Sequence, residues 1–181
     1  MATSQLTAPV LQALQDGTLA GNWTLDPAGS QVRLRSRSLW GMVRVKGVFG
    51  QVAGAGVITR GGEVSGTLTV GAASLDTRNK KRDDHLRSAD FFDAARHPDI
   101  TFTLDRVQPS GQGVTVTGSL TVRGKTRPLS FGASVSSPGG DELRLEAEVQ
   151  VNRGDFGLSW NQLGMASMDN TITIQAAFTR K

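Results

Sequence analysis

Residues 114–122 read VTVTGSLTV, a stretch in which apolar side chains alternate with threonine and serine. Because successive side chains of a β-strand point to opposite faces, this alternation predicts a strand with one apolar and one polar face. The same period of two recurs in seven other stretches, around residues 32–37, 43–46, 64–70, 100–104, 129–135, 143–151 and 172–178. The pattern therefore predicts an all-β chain of about eight strands.

Turn signals rich in glycine and proline separate most of these stretches, as at residues 138–140. Connections this short join antiparallel neighbours, and eight one-sided strands form either a closed barrel or a two-sheet sandwich. Glycines inside the strand patterns, Gly47, Gly66 and Gly118, favour an antiparallel barrel, because barrel strands bend sharply at glycine. An eight-stranded barrel can enclose one small ligand, and a fully packed core is the alternative.

The beginning of the chain lacks the period of two and predicts a short helix. Thr7 can cap this helix, Pro9 suits its first turn, and Gly17 ends it. A helix this short is not stable alone, so its apolar face must dock on the barrel. That face consists of Val10, Leu11 and Leu14. The chain therefore divides into a helical extension, residues 1–20, and a β-barrel domain, residues 21–181.

Residues 73–99 interrupt the strand pattern, because they are too charged for a strand and too long for a hairpin loop. They predict a helical lid across one end of the barrel. Asp83 or Asp84 would cap a first helix, and Asp93 would cap a second. The paired rings of Phe91-Phe92 lie inside this segment and must pack on the barrel mouth to recover their burial.

The amino-acid composition excludes several kinds of functional site. The chain has no cysteine, which excludes a disulfide framework, a cysteine nucleophile and a thiolate metal site. The two histidines, His85 and His97, are too far apart in sequence for a paired metal motif, so no metal is predicted. No nucleophile elbow or phosphate-binding loop occurs. We therefore expect no enzyme activity and no cofactor.

The net charge of +4 is modest. Strand arginines such as Arg33, Arg35 and Arg44 are interpreted as solvated, because exposed aromatic side chains for base stacking do not accompany them, so no nucleic acid partner is expected. Residues 1–20 contain no lysine or arginine, and no apolar run approaches about 18 residues. Neither a secretion signal nor a transmembrane helix is predicted, and a cytoplasmic location is expected.

Four longer motifs carry a resemblance to a known family: RDDHLRSADFFD (residues 82–93), HPDITF (97–102), GSLTVRG (118–124) and RGDFGL (153–158). Together they resemble the YceI-like family over about residues 21–180. Two features depart from the family pattern. Gly29-Ser30 stands where His-Ser is frequent, and the N-terminal helix is an addition.

The resemblance implies a lipocalin-like antiparallel barrel that binds a long-chain isoprenoid lipid without catalysis. Transport or storage of a polyprenyl phosphate or a quinone-like lipid is expected, with a tail of roughly 40–50 carbons buried in an apolar tunnel. Two alternatives stay open. One is a stress-related scavenger of small hydrophobic compounds, and the other is an enzyme acting on a prenyl or quinone substrate with Asp83, Asp84 or His85 as acid or base.

The inward-facing and loop positions predict the residues that contact the lipid. These are Trp40, Phe49, Leu86, Phe91, Phe92, Phe102, Leu120, Phe131, Phe156 and Trp160. Arg82, Asp83 and His85 are expected either to tie the lid to the barrel or to contact the lipid head group. The partner is the isoprenoid lipid, a transient membrane contact is compatible with that role, and the protein is expected as a monomer or homodimer.

Overall fold

A computed structural model describes residues 4–38, 41–160 and 167–181, without the side chains of residues 4–7. It has two α-helices, α1 (Ser4–Gln15) and α2 (Lys80–Arg87), and short 3₁₀ turns at Ala72–Ser74 and Arg153–Phe156. The strands are β1 (Gly21–Leu25), β2 (Gln31–Ser38), β3 (Val43–Phe49), β4 (Val52–Ile58), β5 (Val64–Gly71), β6 (Leu75–Asp76), β7 (Asp99–Ser110), β8 (Gly113–Val122), β9 (Lys125–Gly139), β10 (Glu142–Asn152) and β11 (Asp169–Arg180).

Eight of these strands close into an antiparallel barrel. The order is β1-β4-β5-β7-β8-β9-β10-β11, and the barrel closes because β1 pairs with both β4 and β11. Long hairpins form most of the wall, and the longest ladder joins β10 and β11 from Glu142↔Thr179 to Asn152↔Asp169. The predicted eight-stranded lipocalin-like barrel is confirmed.

The described strands number eleven because two strands of the wall are interrupted and the short β6 pairs with the outer edge of β3. β11 pairs with β1 near its C-terminal end and with β2 near its N-terminal end, so β1 and β2 run in line along one neighbour. In the same way β4 pairs with β1, and β3 pairs with β2. β1, β4 and β6 are not predicted by the alternating pattern. In β4 the inward positions include Gly54 and Gly56, which leave no apolar side chain for a sequence pattern to detect.

One end of the barrel is left open by the pairing of β3. This strand pairs with β2 along its whole length, but within the described chain its other edge pairs with β6 only at Val48 and Phe49. The insertion between β5 and β7 covers this end. Leu86 of α2 packs against a buried cluster that includes Phe49 and Leu75. We call this open end the mouth.

Two local predictions about the helices are wrong. α1 begins at Ser4, before Thr7, and places Pro9 inside the helix. α2 is capped by Asn79, whose side-chain oxygen accepts from the amide of Arg82, and not by Asp83 or Asp84. The capping preference of one residue is worth only about 1 kcal/mol, and at α2 Asn79 is itself a preferred cap while the Asp83 carboxylate accepts from Thr77.

The predicted second lid helix is absent. Asp93 has a φ of 49° and its carbonyl accepts from the amides of Arg96 and His97, so the segment forms a turn. The lid therefore consists of α2 followed by tight turns that carry Phe91 and Phe92. None of the described helices is long and apolar enough to cross a membrane.

Candidate ligand-binding cavity

A cavity of about 450 Å³ runs along the barrel between the mouth and α1. Its wall is made mainly of inward-facing aliphatic and aromatic side chains. Nine of the ten predicted contact residues line it: Phe49, Leu86, Phe91, Phe92, Phe102, Leu120, Phe131, Phe156 and Trp160. Trp40 lies outside the described residues. The strand pattern allowed either a ligand cavity or a fully packed core. The structure has a cavity, so the alternative of a packed core is wrong.

Aromatic side chains of the cavity wall pack against one another. The rings of Phe102 and Phe131 lie 5.4 Å apart between centroids, and those of Phe91 and Phe92 meet edge to face at 4.9 Å. Phe92 is also buried in the core cluster beneath the lid. These rings therefore serve the core and the cavity wall at once, and the cavity is preformed.

Polar side chains appear on the inward faces of three neighbouring strands where they reach the mouth. In β2, the inward positions change from Val32 and Leu34 to Ser36 and Ser38. Val151 is the last inward residue of β10, and the next position in the same alternation is Arg153, just beyond the strand. The first inward residue of β11 is Asn170.

Register brings these residues together. Leu34 lies opposite Ile172 on one side of β11, and Val151 lies opposite Asn170 on the other. Ser36 and Asn170 therefore occupy neighbouring positions at one level of the barrel. Arg82 and His85 of α2 also line the cavity. We call Ser36, Ser38, Arg82, His85, Arg153 and Asn170 the mouth collar.

Arg153 is the buried member of the collar. Its Nη1 donates to the carbonyls of Leu158 at 2.6 Å and Trp160 at 2.7 Å, and its Nε donates to the carbonyl of Ser167 at 3.0 Å. The guanidinium carbon lies 5.5 Å from the centroid of the Phe91 ring. Burial lowers the pKa of the Arg153 guanidinium from its ordinary value. This side chain joins the loop after β10 to the lid.

Arg82 and Asp83 meet through Thr77. The Asp83 carboxylate is buried and accepts from the amide of Thr77 at 3.0 Å and from its hydroxyl at 2.5 Å. Arg82 donates from Nε to the Thr77 hydroxyl oxygen at 2.8 Å and from Nη2 to the Thr77 carbonyl at 2.9 Å. Asp83 does not line the cavity, so its position favours a role in tying the lid to the barrel over contact with the lipid head group. Arg82 contacts Thr77 and also lines the cavity.

His85 faces the mouth beside Trp160. The two rings meet edge to face with centroids 4.2 Å apart, and Nε2 of His85 lies 3.9 Å from a carboxylate oxygen of Asp90. Trp160 is 42% exposed. Of the three groups considered for acid–base chemistry, only His85 lines the cavity, while Asp84 is exposed and pairs with Lys80 and Arg87. Lys80 is also the main reason that the pKa of Asp84 lies below its ordinary value.

We expect Asp83→Ala to destabilise the protein by about 3 kcal/mol, because the buried amide and hydroxyl of Thr77 lose their acceptor. For a chain of this size that loss lowers the melting temperature by roughly 6–12 °C. Asp84→Ala is the matched control, since its ion pairs with Lys80 and Arg87 are exposed to solvent and contribute little to stability. Equal melting temperatures for the two variants would contradict the anchoring role of Asp83.

Sequence reasoning missed four collar residues, Ser36, Ser38, Arg153 and Asn170. A signal was present in β10, where Arg153 follows Val149 and Val151 in the inward phase of an otherwise apolar face. No group of three or more histidine, aspartate and glutamate residues within the described parts of the chain could hold a metal. The lining residues make the cavity a mainly apolar tunnel with hydrogen-bond donors at its mouth.

The domain family described as the YceI-like domain matches residues 23–179. The chain belongs to the YceI-like family. Among curated YceI-like relatives, Protein YceI of Escherichia coli O17:K52:H18 is 36% identical over 112 residues. That match covers 59% of this chain and 58% of the relative, so the aligned segment spans little more than half of the relative's length.

Solved structures show the same fold. The crystal structure of Burkholderia cenocepacia BcnA superposes with a TM-score of 0.75 at 22% identity, covering 84% of this chain and 98% of that one. A polyisoprenoid binding domain from Saccharophagus degradans, implicated in plant cell wall breakdown, superposes with a TM-score of 0.70 at 16% identity, covering 88% and 98%. This chain therefore shares its barrel fold with these solved structures.

Proposed function

We propose that this YceI-like protein binds an isoprenoid lipid without chemical change, with the tail in the cavity and the head group at the mouth collar. The observation that carries the proposal is the cavity itself, which is lined mainly by apolar side chains and gathers serine, asparagine, histidine and arginine side chains at its mouth. A lipid with one polar end matches that distribution. The similarity to a polyisoprenoid binding domain supports the isoprenoid class.

The collar favours a head group rich in hydrogen-bond acceptors. Arg82 and Arg153 are among the lining residues, and no acidic side chain lines the cavity within the described chain. Guanidinium groups bind phosphate oxygens well, and they also donate to carbonyl oxygens. A prenyl phosphate is therefore our first ligand class, and a quinone-like lipid is the second. Either could be carried or stored, since both roles need only reversible binding.

Protein purified under native conditions should carry a lipid adduct in native mass spectrometry. After the lipid is stripped, added prenyl phosphate should restore an adduct of one lipid per chain, because burial of the tail contributes about 0.8 kcal/mol per methylene group. A clean protein mass both before and after addition would overturn the proposal.

Two comparisons separate the proposal from its alternatives. Binding of unrelated apolar compounds of equal size with equal affinity would favour a scavenger of small hydrophobic compounds over an isoprenoid-binding protein. A released lipid whose mass differs from that of the added lipid would reveal catalysis. In that case Asp84→Asn and His85→Gln would identify which group is responsible, and only the second alters a residue that lines the cavity.

A further inference from the structure

We infer that α1 forms the floor of the cavity and limits the enclosed tail to about 18 carbons, close to four isoprene units. The inference rests on the proposed function and specifies its ligand class. Three residues of α1, namely Val10, Leu11 and Leu14, line the same cavity whose opposite end is lined by His85 and Trp160. The helix therefore lies across the end of the barrel opposite the mouth.

The floor is packed into the barrel. Val10 is 3% exposed and belongs to a buried cluster with Leu19, Trp23 and Ile58. Leu14 packs against the same cluster, together with residues of four strands: Val64, Val135, Leu143 and Phe178. Leu11 reaches further inward and packs against the central cluster of the barrel. Leu11 therefore connects α1 with the buried cluster at the centre of the barrel.

The link between α1 and β1 is tied down as well. The indole nitrogen of Trp23 donates to the carbonyl of Leu19 at 2.9 Å. Arg180 donates to the carbonyl of Thr18 at 2.6 Å, and its guanidinium carbon lies 5.3 Å from the centroid of a Trp23 ring. These contacts fix Thr18 and Leu19, in the middle of the link, to the barrel.

A glycine lets the helix sit this close to the barrel. Gly62 has a φ of 85°, and a Cβ built on it would lie 2.9 Å from the carbonyl oxygen of Leu14. Only glycine adopts that conformation readily and leaves room for the helix end. Since the family match begins at residue 23, α1 lies outside the matched domain. The closure is therefore supplied by residues that precede the matched domain.

The volume of the cavity sets the length of tail. A cavity of about 150 Å³ is known to hold benzene, which corresponds to roughly 25 Å³ per carbon. The cavity of about 450 Å³, which is open at the mouth, therefore accommodates about 18 carbons, or between three and four isoprene units. That is less than half of the roughly 40–50 carbons expected from the family resemblance. A longer tail would have to leave the barrel, and the part outside would gain no burial.

The test is a length series of prenyl phosphates with two, three, four and eight isoprene units, measured by equilibrium binding to the whole chain. We expect affinity to rise at least about tenfold for each added unit up to three or four units. Between four and eight units the affinity should change less than about threefold. A steady rise through eight units would show that α1 does not limit the tail, while leaving the proposed function intact.

Substitutions on α1 locate the floor. Leu11→Trp adds bulk on the cavity side and should move the plateau to a tail about one unit shorter, weakening the four-unit ligand at least about tenfold. Gln12→Trp adds the same ring on the exposed side of the helix and should leave the whole series unchanged. An unchanged plateau in Leu11→Trp would overturn the inference.

A second variant protects the test against misfolding of the first. Leu11→Ala enlarges the floor end of the cavity and should strengthen binding of ligands at and just above the plateau, with no effect on the two-unit ligand. If Leu11→Ala leaves those affinities unchanged, the floor lies elsewhere. If neither a prenyl phosphate nor a quinone-like lipid of any length binds the wild-type chain, the proposed function itself is wrong, and the inference falls with it.

Discussion

Arg153→Met should destabilise the protein by about 3–5 kcal/mol and lower its melting temperature by roughly 6–20 °C. The guanidinium supplies donors to the carbonyls of Leu158, Trp160 and Ser167. Methionine keeps much of the apolar stem but donates nothing, so those carbonyls lose their partner at a site with little access to water. The same substitution releases the loop that carries Trp160 at the mouth.

The measurement is thermal unfolding followed by circular dichroism, paired with prenyl phosphate uptake. Arg35→Met is the matched control, because Arg35 is 53% exposed and its pair with Glu148 spans 3.4 Å on the outer surface. That variant should melt within about 2 °C of wild type. Arg153→Lys should fall in between, since one ammonium group cannot reach carbonyls arranged for a planar guanidinium. Unchanged melting of Arg153→Met would contradict the structural role assigned to Arg153.

Gly118→Ala should destabilise the barrel by about 3 kcal/mol, at the upper end of what added core volume usually costs. Gly118 faces inward in β8, where the ring of Phe102 from β7 crosses above it. A Cβ at this position would lie 2.6 Å from Cζ of Phe102 and would also collide with the backbone oxygen of Thr103. The backbone cannot yield as a side chain can, so the strands must separate.

Gly132→Ala is the control for that prediction. Gly132 lies in the neighbouring strand β9, and a Cβ there meets nothing within 4 Å. Alanine should therefore leave stability unchanged or raise it by about 0.5 kcal/mol, because it reduces the freedom of the unfolded chain. Chemical denaturation of both variants measures the difference. Equal stabilities would mean that β7 and β8 are not as close at Gly118 as the structure places them.

The fold was largely predictable because a strand's period of two can be read directly from side-chain types. The long hairpins from β7 to β11 carry that period over their whole inward faces, as Leu143 to Val151 illustrates. β4 was not predicted because its inward positions at Gly54 and Gly56 have no side chain. The start of α1 was misplaced because a cap at Thr7 is worth only about 1 kcal/mol, which is too little to fix where a helix begins.

The candidate site was predictable in its apolar part and not in its polar part. The alternation of residue types is enough to place Phe102, Leu120 and Phe131 toward the interior, where they line the cavity. The collar depends on register between strands, as when Val151 of β10 meets Asn170 of β11. Sequence spacing carries no information about which polar residues share a level of the barrel.

The sequence by itself determined a barrel of one-sided strands, an apolar interior, a charged lid and membership in the YceI-like family. Alternation and motif content depend only on residue types in order, so they can be read without coordinates. Only the tertiary structure decided that Arg153 is buried at the mouth, that Asp83 anchors the lid through Thr77, and that α1 closes the far end. Each depends on distances between segments separated in the chain, and those distances exist only once the barrel has closed.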